Sequence, residues 1–547
     1  MPTQQQRTYD YIIVGAGSAG CTLAARLSED SGVGVLLLEA GGWDTDPLNE
    51  IPILWARNAF KRRHDWGYSC EPERGLSGQT LPMFRGKIVG GCSSINAMTY
   101  VRGHRADYDR WAASGLPSWS YQHVLPYFKK QETWEGGADD YRGGSGPIAT
   151  TTSHYDDPLG DAILAAGEAA GLPATADYNG AQQEGFAVSQ LTVSQGRRFS
   201  VSKAYLHPAK SRQNLTVEVG AHATKVIVEN GRAVGVVYRQ DDQLITARAE
   251  REVILSGGSI NSPQLLMLSG IGDPQHLRDH GIGVVAALPG VGNNLHEHIT
   301  ADVGHVRKTP GPLHRTMRID RTVLSLAKAH LSGTGIFTSV PNHIMAFLKA
   351  NSDSTIPDVQ LQFRMGPSVA APYLRPFTTP YTDGFGCRPV VLRPESIGRL
   401  QLRSADPFAH IRIDLNLCAA EKDRRTLRAG IRLARDILRQ RPLEGFAGTE
   451  MTPGLKTNTD SEIDDYIRDN VMAFIHPIGT CKMGKASDDT AVVDEELRVR
   501  GIDGLRVVDA SIMPDHIGAN LNAPVVMIAE KAADMIRGRV AALSPVQ

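Results

Sequence analysis

The sequence predicts an α/β fold, and three observations carry that prediction. The apolar run Tyr11-Ile12-Ile13-Val14 leads into Gly15-Ala16-Gly17-Ser18-Ala19-Gly20 and then into Ala19, Leu23 and Leu27, which share one helical face. Val33 to Leu38 reads as a second strand and closes on Glu39, an acidic residue 19 positions beyond Gly20. Strand-like segments then return much later, at Thr216 to Val219, Lys225 to Val228, Ala233 to Tyr238, Glu252 to Leu255 and Leu505 to Asp509. Together they describe a Rossmann-like strand, turn, helix and strand whose sheet is completed by distant parts of the chain.

Each element of the opening unit has a physical reason. Gly15 permits the tight turn, Gly17 lets a pyrophosphate approach the backbone, and Gly20 lets the helix pack closely on the strand. The phosphates would rest on the free N–H groups of the helix that begins around Ser18 and Ala19. Glu39, with Ala40 beside it, can accept both ribose hydroxyls and would repel an extra 2′-phosphate, so FAD or NAD fits and NADP does not. The turn itself does not separate FAD from NAD.

At 547 residues the chain is too long for one simple core and implies two domains, or one discontinuous domain with a large insertion. Its 58 basic and 59 acidic residues create no field suited to nucleic acid or an anionic membrane, which leaves a small molecule as the partner. Met1 to Arg7 has no apolar core, and no stretch is long enough to span a bilayer, so a soluble cytoplasmic protein is expected. Six scattered cysteines without C-x-x-C spacing indicate neither a disulfide framework nor a metal site. Residues 136 to 150, rich in glycine, read as a surface crossing. Lys328 to Gly335 and the strand-like Val359 to Phe363 lack nucleotide-binding signals and are assigned to substrate. Arg424 to Arg441 places Leu427, Ile431, Ala434 and Leu438 on one helical face and Arg428, Arg432, Arg435 and Arg439 on the other, a solvated amphipathic helix.

Two further stretches are distinctive. They are Gly86-Lys87-Ile88-Val89-Gly90-Gly91-Cys92-Ser93-Ser94-Ile95-Asn96-Ala97-Met98 and Gly258-Ser259-Ile260-Asn261-Ser262-Pro263-Gln264-Leu265-Leu266-Met267-Leu268-Ser269-Gly270-Ile271-Gly272. With the first turn and His476-Pro477-Ile478-Gly479-Thr480-Cys481, they resemble the glucose-methanol-choline (GMC) family of flavin oxidoreductases over almost the whole chain. The resemblance looks nearest to the bacterial choline dehydrogenase and aliphatic alcohol dehydrogenase branch. It implies bound FAD, a discontinuous FAD-binding domain (1–155, 195–300 and 465–547) and an α+β substrate domain (156–194 and 301–464) with a mainly antiparallel sheet.

Small residues such as Gly91 and Ser94 suit backbone that must pass close to a flat ring, and Asn96 offers donors and an acceptor for its heteroatoms. By resemblance Val89, Ala97 and Met98 also lie in the flavin site, Val226 meets the adenine end through its backbone, and Asp509 and Ala510 lie near the ribityl and pyrophosphate. Relatives that tether flavin do so through a His where this chain has Ile95, which implies non-covalent FAD.

Oxidising an alcohol requires a proton acceptor and a donor for the developing alkoxide. The resemblance places the base at His476 and its partner at Asn522, which would bind the substrate oxygen. Asn522-Ala523-Pro524 also opens a helix, with Val525 in the cofactor site, and a capping role for Asn522 is compatible with the catalytic one. If that helix points at the flavin, its positive end stabilises the reduced form. His516 is a second candidate base, weighed against a loop role. Phe474, Leu521 and the lid-like stretch Leu313 to Phe337 supply apolar lining. The expected reaction takes a primary alcohol to the aldehyde and passes electrons to a quinone-like acceptor. The alternatives are an oxidase producing hydrogen peroxide and a lyase or decarboxylase on the same scaffold.

Overall fold

The computed structural model describes residues 7–367 and 370–539; Met1 to Gln6, read above for a targeting signal, lie outside the described residues. In chain order, the strands of its two large sheets are β1 (Arg7–Val14), β2 (Val35–Glu39), β3 (Gly185–Val188), β4 (Leu215–Val219), β5 (His222–Glu229), β6 (Arg232–Gln240), β7 (Gln243–Leu255), β8 (Ile299–Thr300), β9 (Val303–Arg307), β10 (Ile344–Leu348), β11 (Val359–Arg364), β12 (Gly384–Val391), β13 (Ala447–Thr452), β14 (Met472–Ala473) and β15 (Leu505–Val507). The helices that position the site are α1 (Ser18–Leu27), α2 (Gly258–Leu268), α3 (Ile319–Ser332), α4 (Glu421–Leu438) and α5 (Asn522–Ile536).

The first sheet runs β4-β2-β1-β7-β6-β5, with β15 also paired to β7. Around β1 the pairing is parallel, Val14 lying opposite Leu38 on one side and Leu255 on the other. β4 and β15 extend this parallel part, whereas β5 and β6 continue it as antiparallel strands. Ile12, Ile13, Leu36, Leu37 and Leu38 are all buried, as expected of parallel strands covered on both faces. The carboxyl ends of β1 and β2 therefore carry the glycine turn and Glu39 to the same edge, where α/β sheets hold ligands.

The glycines of that turn divide as expected. Gly15 has a φ of +99°, and a Cβ on Gly20 would sit 1.9 Å from the Gly15 carbonyl oxygen, so α1 packs directly on the turn. A Cβ on Gly17 would meet only the Ser256 carbonyl oxygen, at 3.9 Å. α5 lies beside α1 in the same direction. Ser18 Oγ donates to Asn522 Oδ1 at 2.7 Å, and eight residues further along each helix Arg26 Nε donates to Glu530 Oε1 at 2.9 Å. The two amino ends thus open on one place.

The second sheet is antiparallel, in the order β13-β9-β12-β11-β10-β3, with β8 and β14 paired to each other and β8 to β12. Met472–Ala473 and Ile299–Thr300 fall in stretches expected in the cofactor domain, yet they pair within this sheet. α4 packs against it through Leu427, Ile431, Ala434 and Leu438. Arg435, expected on the wet face of α4, is buried instead, because Glu450 on β13 meets it at 2.6 Å and the carbonyls of Gly454 and Thr457 accept its remaining protons. The crossing at 136–150 is only partly superficial. Arg142 is buried, paired with Glu132 at 2.6 Å and with Asp177 at 2.8 Å.

Two substitutions separate the roles of the glycines. Gly20→Ala is expected to cost about 1–3 kcal/mol or more through overpacking, and to lower the melting temperature even of the flavin-free chain. Gly17→Ala should leave that melting temperature near wild type while the purified protein retains less flavin, measured by visible absorbance per chain.

Candidate active site

A cavity of about 1100 Å³ runs from the glycine turn to His476. Of the residues expected at the cofactor, all but Gly20, Val89, Ser94 and Val226 line it. The exceptions have physical reasons. Gly20 is pressed against Gly15, as above. The Val89 carbonyl accepts from Ser94 Oγ at 2.8 Å, which occupies both residues in holding their own loop. The Val226 N–H donates to Ser269 Oγ at 2.8 Å, and Ala221, His222 and Ala223 line the cavity there instead.

The residues present fit a dinucleotide. No side chain caps the first turn of α1 or of α5, so both leave N–H groups and a partial positive charge facing the cavity. Glu39 Oε2 accepts from the Ala16 N–H at 3.0 Å and Oε1 from the Gly41 N–H at 2.8 Å. Each oxygen keeps a lone pair, which leaves room for ribose hydroxyls. Burial pushes the Glu39 carboxyl up to about 7, against those two hydrogen bonds. Asp509 is held by the Gly258 N–H, Ser262 Oγ and the Ser511 N–H. Asn96 Oδ1 accepts from the Met98 N–H and from Arg198, both at 2.9 Å, so its amide NH₂ is the part left for a ligand. Ile95 lines the same wall and offers no nucleophile.

His476 owes its place to a local irregularity. Ile299 pairs with Ala473, and His296 pairs with Ile478. Between those pairs, four residues on one side (474–477) oppose two on the other (297–298). The longer side bulges, and Ile475 adopts a φ of +66°, a strained conformation for a β-branched residue. Arg85 donates to the Ile475 carbonyl oxygen at 2.6 Å, and Glu297 Oε1 accepts from the His476 N–H at 2.6 Å, which pins the bulge. Burial pushes the Glu297 carboxyl up to about 8, so near neutrality it is largely uncharged.

The hydrogen bonds around His476 determine its tautomer. The Leu392 carbonyl oxygen can only accept, so His298 Nε2, 3.0 Å away, donates to it. Burial holds the His298 ring down to about 3, so it is neutral and its Nδ1 accepts. His476 Nδ1, 3.0 Å from that atom, must then donate, and the lone pair of His476 Nε2 is left toward Asn520. Burial first, then His298 and Arg85, hold His476 well below its ordinary pKa, which keeps this lone pair free.

The amide beside His476 belongs to Asn520, not to Asn522 as the sequence reading had it. Asn520 Nδ2 is 3.5 Å from His476 Nε2, and Gln360 Nε2 donates to Asn520 Oδ1 at 3.3 Å, which turns the NH₂ toward the imidazole. Asn522, two residues on and at the start of α5, is engaged with Ser18 at the cofactor end. His516, the second candidate base, does not line the cavity. Its ring stacks on His298 with centroids 3.5 Å apart, and its Nε2 lies 3.0 Å from the His476 carbonyl oxygen. Phe474 sets its edge against His476 at 4.9 Å, and Leu313, Met317, Leu326 and Phe337, before, on and after α3, line the cavity beyond. Sequence reasoning missed Asn520, Gln360, Glu297 and His298. The alternating His296-Glu297-His298 was the one local signal for the last two.

The GMC oxidoreductase family models match residues 9–300 (amino-terminal part) and 394–529 (carboxy-terminal part). Mitochondrial choline dehydrogenase of Mus musculus is 44% identical over 540 residues, covering 97% of this chain and 90% of the relative. The oxygen-dependent choline dehydrogenase of Brucella ovis is 42% identical, covering 97% and 96%. Among solved structures, pyridoxine 4-oxidase from Mesorbium loti superposes with a TM-score of 0.85 at 30% identity, covering 96% of this chain and 98% of the other. Formate oxidase superposes with a TM-score of 0.88 at 27% identity, covering 98% and 99%.

Replacing Asn520 with Ala is expected to lower kcat about 10²–10³-fold, the usual cost of one preorganised donor, with flavin retained. Asn522→Ala should instead lower flavin retention and leave kcat per bound flavin much less affected. Rapid-reaction flavin bleaching by an alcohol, normalised to flavin content, distinguishes the two.

Proposed function

The chain belongs to the GMC oxidoreductase family, and from that premise we propose that His476 is its general base and Asn520 its substrate-oxygen donor in the oxidation of a primary alcohol to the aldehyde. It is an FAD-dependent oxidoreductase acting on alcohol CH–OH donors. The observation that carries the residue assignment is the hydrogen-bond relay from Leu392 through His298 to His476, which leaves an unprotonated Nε2 beside an amide NH₂.

FAD would be held by the amino ends of α1 and α5, Glu39 and Asn96, and would supply the two-electron acceptor that the oxidation of an alcohol requires. The chain's own residues do the rest. His476 Nε2 accepts the hydroxyl proton, and the Asn520 NH₂ donates to the oxygen as it gains charge. Gln360 holds the Asn520 amide in the donating orientation, and His298 holds the His476 ring. Phe474 and the α3 region keep water from the reacting carbon.

The proposed division of the chain is a cofactor domain of 1–155, 195–300 and 465–547 and a substrate domain of 156–194 and 301–464, with β8 and β14 where the two meet. FAD is proposed to be non-covalent, on the strength of Ile95. A quinone-like compound is the proposed electron acceptor. Oxygen is the second reading, favoured by a relative named for it. Peroxide formed per alcohol consumed decides between them. A cytoplasmic location is the reading proposed from composition; no helix among the described residues is long and apolar enough to cross a membrane, and two relatives are named mitochondrial.

His476→Ala is expected to reduce turnover about 10²–10⁴-fold with the flavin still bound, and denaturation should release all the yellow colour from the chain. Near-normal turnover in that variant ends the assignment. Because the His476 pKa is lowered, the base form persists as pH falls, so the acid limb of kcat/KM is expected below the ordinary imidazole value of about 6.5.

A further inference from the structure

We propose that Arg198 is a positioning residue of the flavin site: it fixes the Asn96 amide and sets behind that amide an uncompensated positive charge, which favours the reduced state of the cofactor. The inference rests on the cavity being the FAD site and on neither His476 nor Asn520.

Strand alternation brings Arg198 to this place. Val193–Ser194 and Arg197–Arg198 form an antiparallel hairpin, and the two residues between them, Gln195 and Gly196, have φ values of +51° and +69°. Two successive positive φ angles are what a two-residue hairpin turn needs. Side chains then leave the strand on opposite faces. Arg197 stays partly exposed and meets Glu50 at 3.1 Å, whereas Arg198 is buried. Its Nε donates to the Asn49 carbonyl oxygen at 2.8 Å, and its Nη1 donates to the Ser93 carbonyl oxygen at 3.2 Å and to Asn96 Oδ1 at 2.9 Å. All three acceptors are formally neutral.

In this Arg198 differs from the other buried arginines. Six arginines are buried among the described residues, and the other five meet a carboxylate: Arg102 and Arg142 meet Glu132, Arg307 meets Asp157, Arg435 meets Glu450, and Arg506 meets Glu252. The acidic residues around Asn49 are engaged elsewhere, Asp44 by His207, Asp46 by Arg63, and Glu50 by Arg197 and Lys203. Burial lowers the Arg198 guanidinium to about 9, so near neutrality it remains a cation. A buried charge without a counter-ion is costly, and one placed behind the wall of a ligand site suits a ligand that gains negative charge.

The stretch that Arg198 holds forms the cavity wall between the two helix starts. A Cβ on Gly91 would lie 2.8 Å from Gly17 Cα, which sets one end of the stretch against the glycine turn. At the other end Gln131 Nε2 donates to Tyr100 Oη at 3.1 Å and to the Ala523 carbonyl oxygen, on α5, at 3.2 Å. Between these ends Asn96, Ala97 and Met98 line the cavity, and Arg198 reaches it through Asn96. A cation bonded to the amide oxygen leaves the NH₂ as the group toward the cofactor and strengthens it as a donor. Two-electron reduction adds negative charge to a flavin, and a polarised donor and a fixed cation both favour that state.

The test uses the purified holoenzyme with no alcohol present. The readouts are the reduction potential, by equilibration with a reference dye, and sulfite binding, followed by loss of visible flavin absorbance. Arg198→Gln is expected to raise the sulfite Kd about tenfold or more, the effect of removing one nearby unit charge, and to lower the potential by about 30 mV for each tenfold change in a two-electron equilibrium. Arg198→Lys keeps the charge and should stay closer to wild type in both. A purely structural role would lower flavin content and melting temperature while leaving the potential and sulfite affinity of the bound flavin unmoved, and that result overturns the proposal. Equal shifts in the Gln and Lys variants overturn it too. Should the Gln variant not fold, Asn96→Asp decides: it keeps an oxygen for Arg198 and supplies the missing negative charge, so both readouts should move as in the Gln variant, and wild-type values overturn the proposal. Because no alcohol enters, the outcome stands whether or not His476 is the base.

Discussion

The hydrogen bond between His298 and His476 is the joint on which the chemistry of this chain turns, because it ties the protonation of one ring to the packing of a whole sheet. His298 sits just before β8, and its far nitrogen is satisfied by the Leu392 carbonyl oxygen just past β12. That carbonyl cannot donate, so every proton along the line has one permitted position, and the lone pair emerges where an alcohol can reach it. His516, stacked on the middle ring, and Glu297, holding the His476 backbone, leave the arrangement little freedom to relax. The strain at Ile475 is then the local cost of bringing the ring forward, and the surrounding contacts overdetermine it.

Around that joint the two sheets contribute different electrostatics to one cavity. The parallel sheet ends in a turn and two helix starts, where backbone dipoles supply the positive character and Glu39 and Asp509 supply acceptors. The antiparallel sheet contributes full charges, Arg364 and Arg388, on strands whose opposite face is packed with Leu361 and Phe363. Between them lies the neutral, hydrogen-bonded ground of His476, Asn520 and Gln360. Under the assignment proposed above, an uncharged imidazole and an amide kept in one orientation suit a step in which charge appears only transiently.

What the sequence made legible was what is local. The first turn was readable because a strand, three glycines and an apolar helix stripe follow one another without interruption, and Gly15, Gly17 and Gly20 have the spatial roles that their spacing implies. The strands from Leu215 to Leu255 were readable from alternation and apolar runs for the same reason. The amide partner of His476 was not, since Asn520 and Asn522 are two residues apart in a turn leading into a helix, and only the fold shows which one Gln360 aims and which one Ser18 engages. The role of His298 could not be read from the alternating His296-Glu297-His298 alone, because it depends on Leu392, 94 positions away. Arg435 misled in the opposite direction: a helical wheel puts it among solvated arginines, and a carboxylate from β13 draws it inside.

The side-by-side course of α1 and α5 has a consequence for how the molecule lives. Neighbouring helices aligned head to head carry like poles, each worth roughly half an elementary charge, and here both poles confront the same hollow. The chain has therefore stored an electrostatic debit at its centre that a doubly negative guest cancels. Its thermal endurance and its occupancy are then one property seen twice: by mass action, whatever depletes the guest softens the host.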